Sequence, residues 1–239
     1  MNALFLESLE ELECQDKQIL EHLTNVIKPT PGDSLKIIIK DRGLFLAKLD
    51  SLTSSKATFS LQHELKKVEP WIDLIIGVSR PQTTRKILEH GTTYGVRSFH
   101  FFTAELSEKS YLSSKIFSSN EALDLLKLGL AQSARYFRVP EVKTSLINPA
   151  AQYANFDYKF ILDFEDAKRF NELNLPDLSL NPGVNIALAI GPERGFRPKD
   201  IERFLAVGFQ KVTISEAVLR VEHALYSSLS QLELLTKKY

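Results

Sequence analysis

The chain is poor in most of the residues that would classify it at once. It has a single cysteine, Cys14, among 239 residues, so no disulfide can close within it and a disulfide-stapled secreted module is excluded. Its ten glycines are a share well below the usual ~7%, which excludes collagen-like and Gly-rich flexible chains. The longest apolar stretches, around Leu74–Val78 and Val184–Ile190, fall far short of the ~20 residues of a membrane helix. The first residues, MNALFLESLEELE, turn acidic at once, unlike the basic start of a signal peptide. No pair among His22, His63, His90, His100 and His223 has zinc-protease spacing, and Cys14 lacks a partner ligand, so no metal is expected. A GxSxG nucleophile elbow is missing as well. These absences leave a soluble, cytoplasmic protein that touches neither membrane nor metal.

Net charge is also lacking: 30 basic and 30 acidic residues cancel. The cancellation hides an asymmetry, because Glu7, Glu10, Glu11, Glu13, Asp16 and Glu21 face only Lys17 near the start. The remainder is modestly basic, a surplus too small to announce a nucleic-acid binder without regard to position. What is present is a 44% hydrophobic chain with 25% charged residues, enough for one large core or two small ones.

The hydrophobic pattern divides the chain in two. Residues 1–68 read as a small β-rich unit, with candidate strands Ser34–Ile39, Gly43–Leu49 and Ala57–Leu61 and a turn at Lys40-Asp41-Arg42-Gly43. A helix over Asp16–Ile27 presents Ile19, Leu20, Leu23, Val26 and Ile27 at helical spacing and must stop before Pro29. From residue 69 to 239 strands and helices alternate, which predicts an α/β domain with a mainly parallel sheet. Ile72–Val78 is a nearly continuous apolar run, as expected of a strand covered on both faces. Phe99–Phe102, Tyr158–Leu162, Asn185–Ile190 and Lys211–Ile214 are further strands; helices are expected from Pro81, after Asn120, over Ile201–Leu205 and over Val218–Leu235.

Three constellations could carry chemistry. Gly191-Pro192-Glu193-Arg194-Gly195-Phe196 follows the apolar strand that contains Leu188 and Ile190 and precedes a helix. In an open α/β sheet, ligands bind beyond the carboxyl ends of strands, although the segment could equally be a tight turn without a ligand. It has no Gly-Lys-Ser/Thr to grip phosphate. Ile214 to Glu222 leaves a short strand and enters the last helix, where Arg220 and Glu222 stand two apart and do not face each other; a solvated first turn would look the same. Finally, Arg80, Arg85 and Lys86, then Arg135, Arg138 and Lys143, could clamp phosphates, with Tyr136 and Phe137 between the two arginines to stack an unpaired base, or merely solvate a surface.

In sum these segments resemble the RsmE-type 16S ribosomal RNA uridine-N3 methyltransferases of the SPOUT superfamily. His22-Leu23-x-Asn25-Val26-Ile27-Lys28 with Gly32-Asp33, Gln132-Ser133-Ala134-Arg135 with Val139-Pro140-Glu141-Val142, Gly191–Phe196, and Val218-Leu219-Arg220-x-Glu222 match the family's motifs in order along the chain. The resemblance implies a PUA-like RNA-binding barrel over residues 1–68. A SPOUT methyltransferase domain over 69–239 would follow, its carboxy-terminal chain tied in a trefoil knot. It further implies a homodimer acting on ribosomal RNA or the small ribosomal subunit, with S-adenosylmethionine bound by loops around Leu162, Gly191–Gly195 and Ile214–Leu219. Leu188, Ile190, Gly191, Pro192, Gly195, Ile214, Val218 and Leu219 would contact the cofactor. Arg220 would steady negative charge on a uracil carbonyl, and Glu193 or Glu222 would accept the proton or favour the sulfonium cation. Arg80, Arg85, Lys86, Arg135 and Arg138 would hold RNA. The chain departs from the family pattern at Ser215, Ala217, His223, Thr93, Ala131 and Arg197, mostly on the substrate side. A second expectation is therefore a SPOUT-fold RNA-binding module that has lost catalysis.

Overall fold

The structure, a computed structural model, describes residues 2–7 and 12–237; Glu10 and Glu11 of the acidic start lie outside the described residues. The chain forms two compact units, one of residues 1–70 with 127–139, the other of 71–126 with 140–239.

The first unit is a five-stranded, nearly closed sheet. Its strands are β1 (Leu4–Leu6), β2 (Glu13–Cys14), β3 (Ser34–Ile39), β4 (Gly43–Leu52) and β5 (Ala57–Glu64), in the order β1-β3-β4-β5-β2. The β3–β4 hairpin turns where expected, with Asp41 at φ 54°, a conformation that aspartate tolerates better than most residues. Helix α1 (Lys17–His22) is capped by Asp16, whose carboxylate accepts from Ile19 N, and Leu20 and Leu23 bury against Ile37, Ala47, Leu49 and Phe59. The expected helix to Ile27 is corrected here. After His22 the chain widens into a π-turn over Leu23–Ile27 and ends at Lys28 in the left-handed region. A π-turn advances less than 100° per residue, so Val26 and Ile27 rotate off the buried face and are exposed. Strand β1 was not expected. It pairs in parallel with β3, its apolar triplet masked in the sequence by the acids that follow. Residues 127–139 return to this unit: Asn2 N and Ala3 N donate to Ala131 O, Asp41 N donates to Phe137 O, and Arg138 pairs with Glu69. The boundary expected after residue 68 lies close to the first crossing of the chain between units, and the pattern gives no sign of that return.

The second unit is a seven-stranded sheet of parallel pairs: β6 (Ile72–Gly77), β7 (Val96–Phe102), β8 (Glu141–Ser145), β9 (Tyr158–Leu162), β10 (Lys168–Arg169), β11 (Ile186–Ile190) and β12 (Gln210–Thr213). The order is β10-β12-β9-β11-β6-β7-β8. All of β6 and β11 is buried, which is why both read as unbroken apolar runs. The helices are α2 (Pro81–Thr93), the short α3 (Lys115–Ser118), α4 (Glu121–Ser133), which leads into the first unit, α5 (Pro198–Leu205) and α6 (Val221–Leu235). Strand β12 inserts between β9 and β10, strands formed much earlier in the chain. Such a late insertion is what a trefoil threading of the carboxy-terminal chain requires, against the general rule that connections do not thread. The last helix starts three residues later than expected. Ser215 Oγ accepts from Ala217 N and Arg220 is extended, so residues 214–220 form a loop.

Candidate functional site

The carboxyl ends of β9, β11 and β12 lie side by side at the middle of the sheet, and a loop leaves each one. Together they line one cavity, whose walls include Leu162, Asp163 and Phe164 after β9, Ile190, Gly191, Pro192, Glu193, Gly195 and Phe196 after β11, and Thr213, Ile214, Ser215, Ala217, Val218 and Leu219 after β12. This is where an open parallel sheet offers a ligand crevice. Of the described lining side chains two are acidic, Asp163, which pairs with Lys211 at 2.8 Å, and Glu193, and none is Lys or Arg. An anionic ligand such as a phosphate would find little to neutralise it, whereas a cation with an apolar body would fit.

The middle loop is shaped by its glycines and by Pro192. Gly195 has φ +73°, and its N–H donates to Pro192 O at 2.8 Å, closing the turn. A Cβ on Gly191 would lie 3.0 Å from the backbone of Gly195 and Phe196, so only glycine lets the two arms of the loop come this close. Pro192 is buried against the end of β6, where a Cβ on Gly77 would lie 2.8 Å from Pro192 N. Gly77 was not singled out by the sequence reading; its place at the end of an apolar strand, ahead of Pro81, was the available signal.

The expected site residues fall into several groups. Leu162, Ile190, Gly191, Pro192, Gly195, Ile214, Val218 and Leu219 line the cavity together with Glu193. Leu188 does not. It sits inside β11, fully buried between β6 and β9, and its placement on the wall is corrected: strand side chains alternate, but the cavity begins only where the strands end. Arg220 is exposed at the N-cap of α6, next to the lining residues Leu219 and Val221. Glu222 is 7% exposed and its carboxylate accepts from Lys86 Nζ at 3.0 Å. Burial pushes its pKa up, but the bonds from its own backbone amide and from Lys86 outweigh that and hold it below the usual carboxylate value. Glu193 Oε1 accepts from Arg80 N at 2.8 Å.

The proposed RNA-binding bases are mostly engaged within the protein. Arg85 pairs with Glu121, Lys86 with Glu222 and Arg138 with Glu69. Among the described residues Arg80 and Arg135 enter no ion pair, and both are exposed. Tyr136 and Phe137 cannot stack on a base, because they are buried at 2% and 0% exposure; a short loop returning to a hydrophobic core needs such side chains. Asp163 and Phe164 are lining residues that sequence reasoning missed, since no motif spacing marks them, while Phe196 and Ser215 lay in quoted segments without being offered as cofactor contacts. Among the described residues no cluster of His, Cys, Asp or Glu could hold a metal ion. No helix of the described residues is long and apolar enough to cross a membrane.

A family model described as an RNA methyltransferase domain matches residues 66–233. The chain is 30% identical over 214 residues to "Ribosomal RNA small subunit methyltransferase E 1" of Borreliella burgdorferi, covering 85% of this chain and 84% of that protein. It is 29% identical to the corresponding methyltransferase E of Treponema pallidum, covering 85% of this chain and 77% of the other. Among solved structures, a ribosomal RNA small subunit methyltransferase E from Neisseria gonorrhoeae, bound to S-adenosyl methionine, superposes with a TM-score of 0.77 at 20% identity, covering 98% of both chains. This last likeness establishes a shared fold.

Proposed function

The chain belongs to the RNA methyltransferase family, in its RsmE-type branch, and from that premise we propose that it transfers a methyl group from S-adenosylmethionine to N3 of a uridine in small-subunit ribosomal RNA. The observation that carries the reading is that the loops after β9, β11 and β12 line one shared cavity. Its residues suit this donor. The apolar side chains of Ile190, Ile214 and Leu219 offer a wall to an adenine ring, the close approach at Gly191 opens backbone to it, and a lining with the Glu193 carboxylate and no Lys or Arg among its described residues admits a sulfonium cation.

When bound, the donor supplies an electrophilic methyl group. The protein's part is alignment and electrostatics, which dominate when the chemistry needs little covalent help. Uracil N3–H is a weak acid, so methylation requires its negative charge to be steadied as the proton leaves. Arg220, at the N-cap of α6 beside the cavity, is positioned to donate to a uracil carbonyl. Phe164 and Val218, 57% and 84% exposed in the lining, give an unstacked base an apolar surface to seat against. The reading carries with it a homodimer working in the cytoplasm. A non-catalytic RNA-binding module has less in its favour, because it would have no use for this cavity.

Purified protein is expected to move labelled methyl from S-adenosylmethionine into small subunits that lack the modification. Mass mapping should place the label on a uridine. A well-folded protein that labels no RNA would overturn the reading, and light scattering at one chain per particle would remove the dimer.

A further inference from the structure

We propose that helix α2 is the bracket that holds both carboxy-terminal loops of the cavity, with Glu193 and Glu222 as its anchors: positioning residues, and not the groups that receive the uracil proton. The inference rests on the methyltransferase reading above and concerns how its site is kept in shape.

Three observations converge on α2. Arg80, the N-cap, provides no side-chain cap of its own, and Pro81 at the first helical position has no N–H. The acceptor for Arg80 N comes from 113 residues away, Glu193 Oε1 at 2.8 Å. A carboxylate here faces the positive end of the helix dipole, and it fastens the Gly191–Gly195 loop at the moment it turns. Just before the helix, Gly77 presses against Pro192 of the same loop. Further along α2, Lys86 Nζ donates to Glu222 Oε1 at 3.0 Å, and Glu222 opens α6 directly after the 214–220 loop. One helix thus grips the exits of two loops that must stay together to enclose a ligand. Both carboxylates are occupied by charge-assisted bonds within the fold, Glu193 from Arg80 N and Glu222 from Lys86 Nζ.

The two roles separate on substitution. Glutamine keeps a side-chain carbonyl that can accept from Arg80 N but cannot take a proton. Steady-state transfer to undermethylated small subunits by full-length Glu193→Gln is therefore expected to raise KM for S-adenosylmethionine, because the cavity lining loses a negative charge, but to lose less than about tenfold in kcat and to keep a pH–rate profile of unchanged shape. Glu193→Ala should raise KM for S-adenosylmethionine about tenfold or more, with a smaller fall in kcat. Lys86→Met, which touches neither loop directly, should raise the same KM. It also keeps the test standing if Glu193→Ala fails to fold. Loss of about a hundredfold or more in kcat with Glu193→Gln, together with the acidic limb of the profile, would make Glu193 the proton acceptor and end the proposal. So would an unchanged KM in Lys86→Met. Should the wild-type protein transfer no methyl group, the functional reading fails; calorimetry of S-adenosylmethionine with the same variants would still decide the anchors, Ala weakening binding at least several-fold more than Gln, and equal losses in the two ending the proposal.

Discussion

Gly191 and Gly195 are four residues apart in one motif, yet each is glycine for a different reason. At Gly195 the reason is conformation: φ is +73°, and a Cβ would meet nothing within 4 Å. At Gly191 it is space, since a Cβ would press 3.0 Å from the backbone of Gly195 and Phe196, atoms that cannot swing aside as a side chain can. Gly195→Ala should therefore cost about 1–2 kcal/mol of left-handed strain and lower Tm by a few degrees, while S-adenosylmethionine binds within a few-fold of wild type. Gly191→Ala has to open the loop and should weaken that binding more than about tenfold for a similar loss of stability. Thermal unfolding and calorimetry on the two variants side by side make the comparison. Equal affinities in both would show that the narrow approach at Gly191 does not shape the cavity. The same residue scale shows what Ser215, one of the departures from the family pattern, does for its loop: its hydroxyl accepts from Ala217 N and holds the turn by a bond.

Between elements, the junction of α2 and α6 is set by Lys86 and Glu222. Glu222 has a folded-state pKa below its ordinary value of 4.5. A depressed carboxylate contributes stability that is fully present above its unfolded pKa and is lost as pH falls through the folded one. Lowering the pH from neutral through and below about 4.5 should therefore destabilise the wild-type protein more than Glu222→Gln, which has no carboxylate to protonate. Lys86→Met at neutral pH should cost about 1–2 kcal/mol, because it strips the nearly buried Glu222 of a charged donor. Chemical unfolding across pH checks both; curves for wild type and Glu222→Gln that run parallel down to pH 3 would count against the assignment. The elements themselves were legible to different degrees. β6 and β11 showed in the sequence because strands buried on both faces leave unbroken apolar runs, and α2 because Pro81 marks its start. β8, written Glu-Val-Lys-Thr-Ser, and β10, only Lys168-Arg169, did not, since sheet edges face solvent and need no apolar pattern. The late start of α6 was hidden too, because loop 214–220 carries apolar residues that serve the cavity instead of a helix face.

Across the whole molecule, contacts distant in sequence decide what the pattern could not. Residues 127–139 join the first unit by backbone bonds, Asn2 N and Ala3 N donating to Ala131 O and Asp41 N to Phe137 O, while Leu130, Ala131, Tyr136 and Phe137 are buried. Periodicity sees apolar residues there but not which core they enter. The same holds for charge: the five bases offered to RNA look equivalent in the sequence, and only the fold shows Arg85, Lys86 and Arg138 each facing an acid. A guanidinium already paired gains little by exchanging its carboxylate for a phosphate, so few counterions are released on its account. RNA affinity measured against salt should separate the two kinds. Each phosphate contact on single-stranded RNA contributes a slope of about −0.7 in log K against log salt. Arg80→Ala and Arg135→Ala should each make the slope shallower by about that amount. Arg85→Ala and Arg138→Ala should leave it where it was, with Arg138→Ala showing instead in the thermal stability of the first unit, where its partner Glu69 resides. Fluorescence anisotropy titrations over a range of salt concentrations give the slopes directly. A shallower slope from Arg138→Ala, or none from Arg80→Ala, would mean that RNA displaces the internal acids and that the ion pairs seen in the fold do not select the residues that meet phosphate.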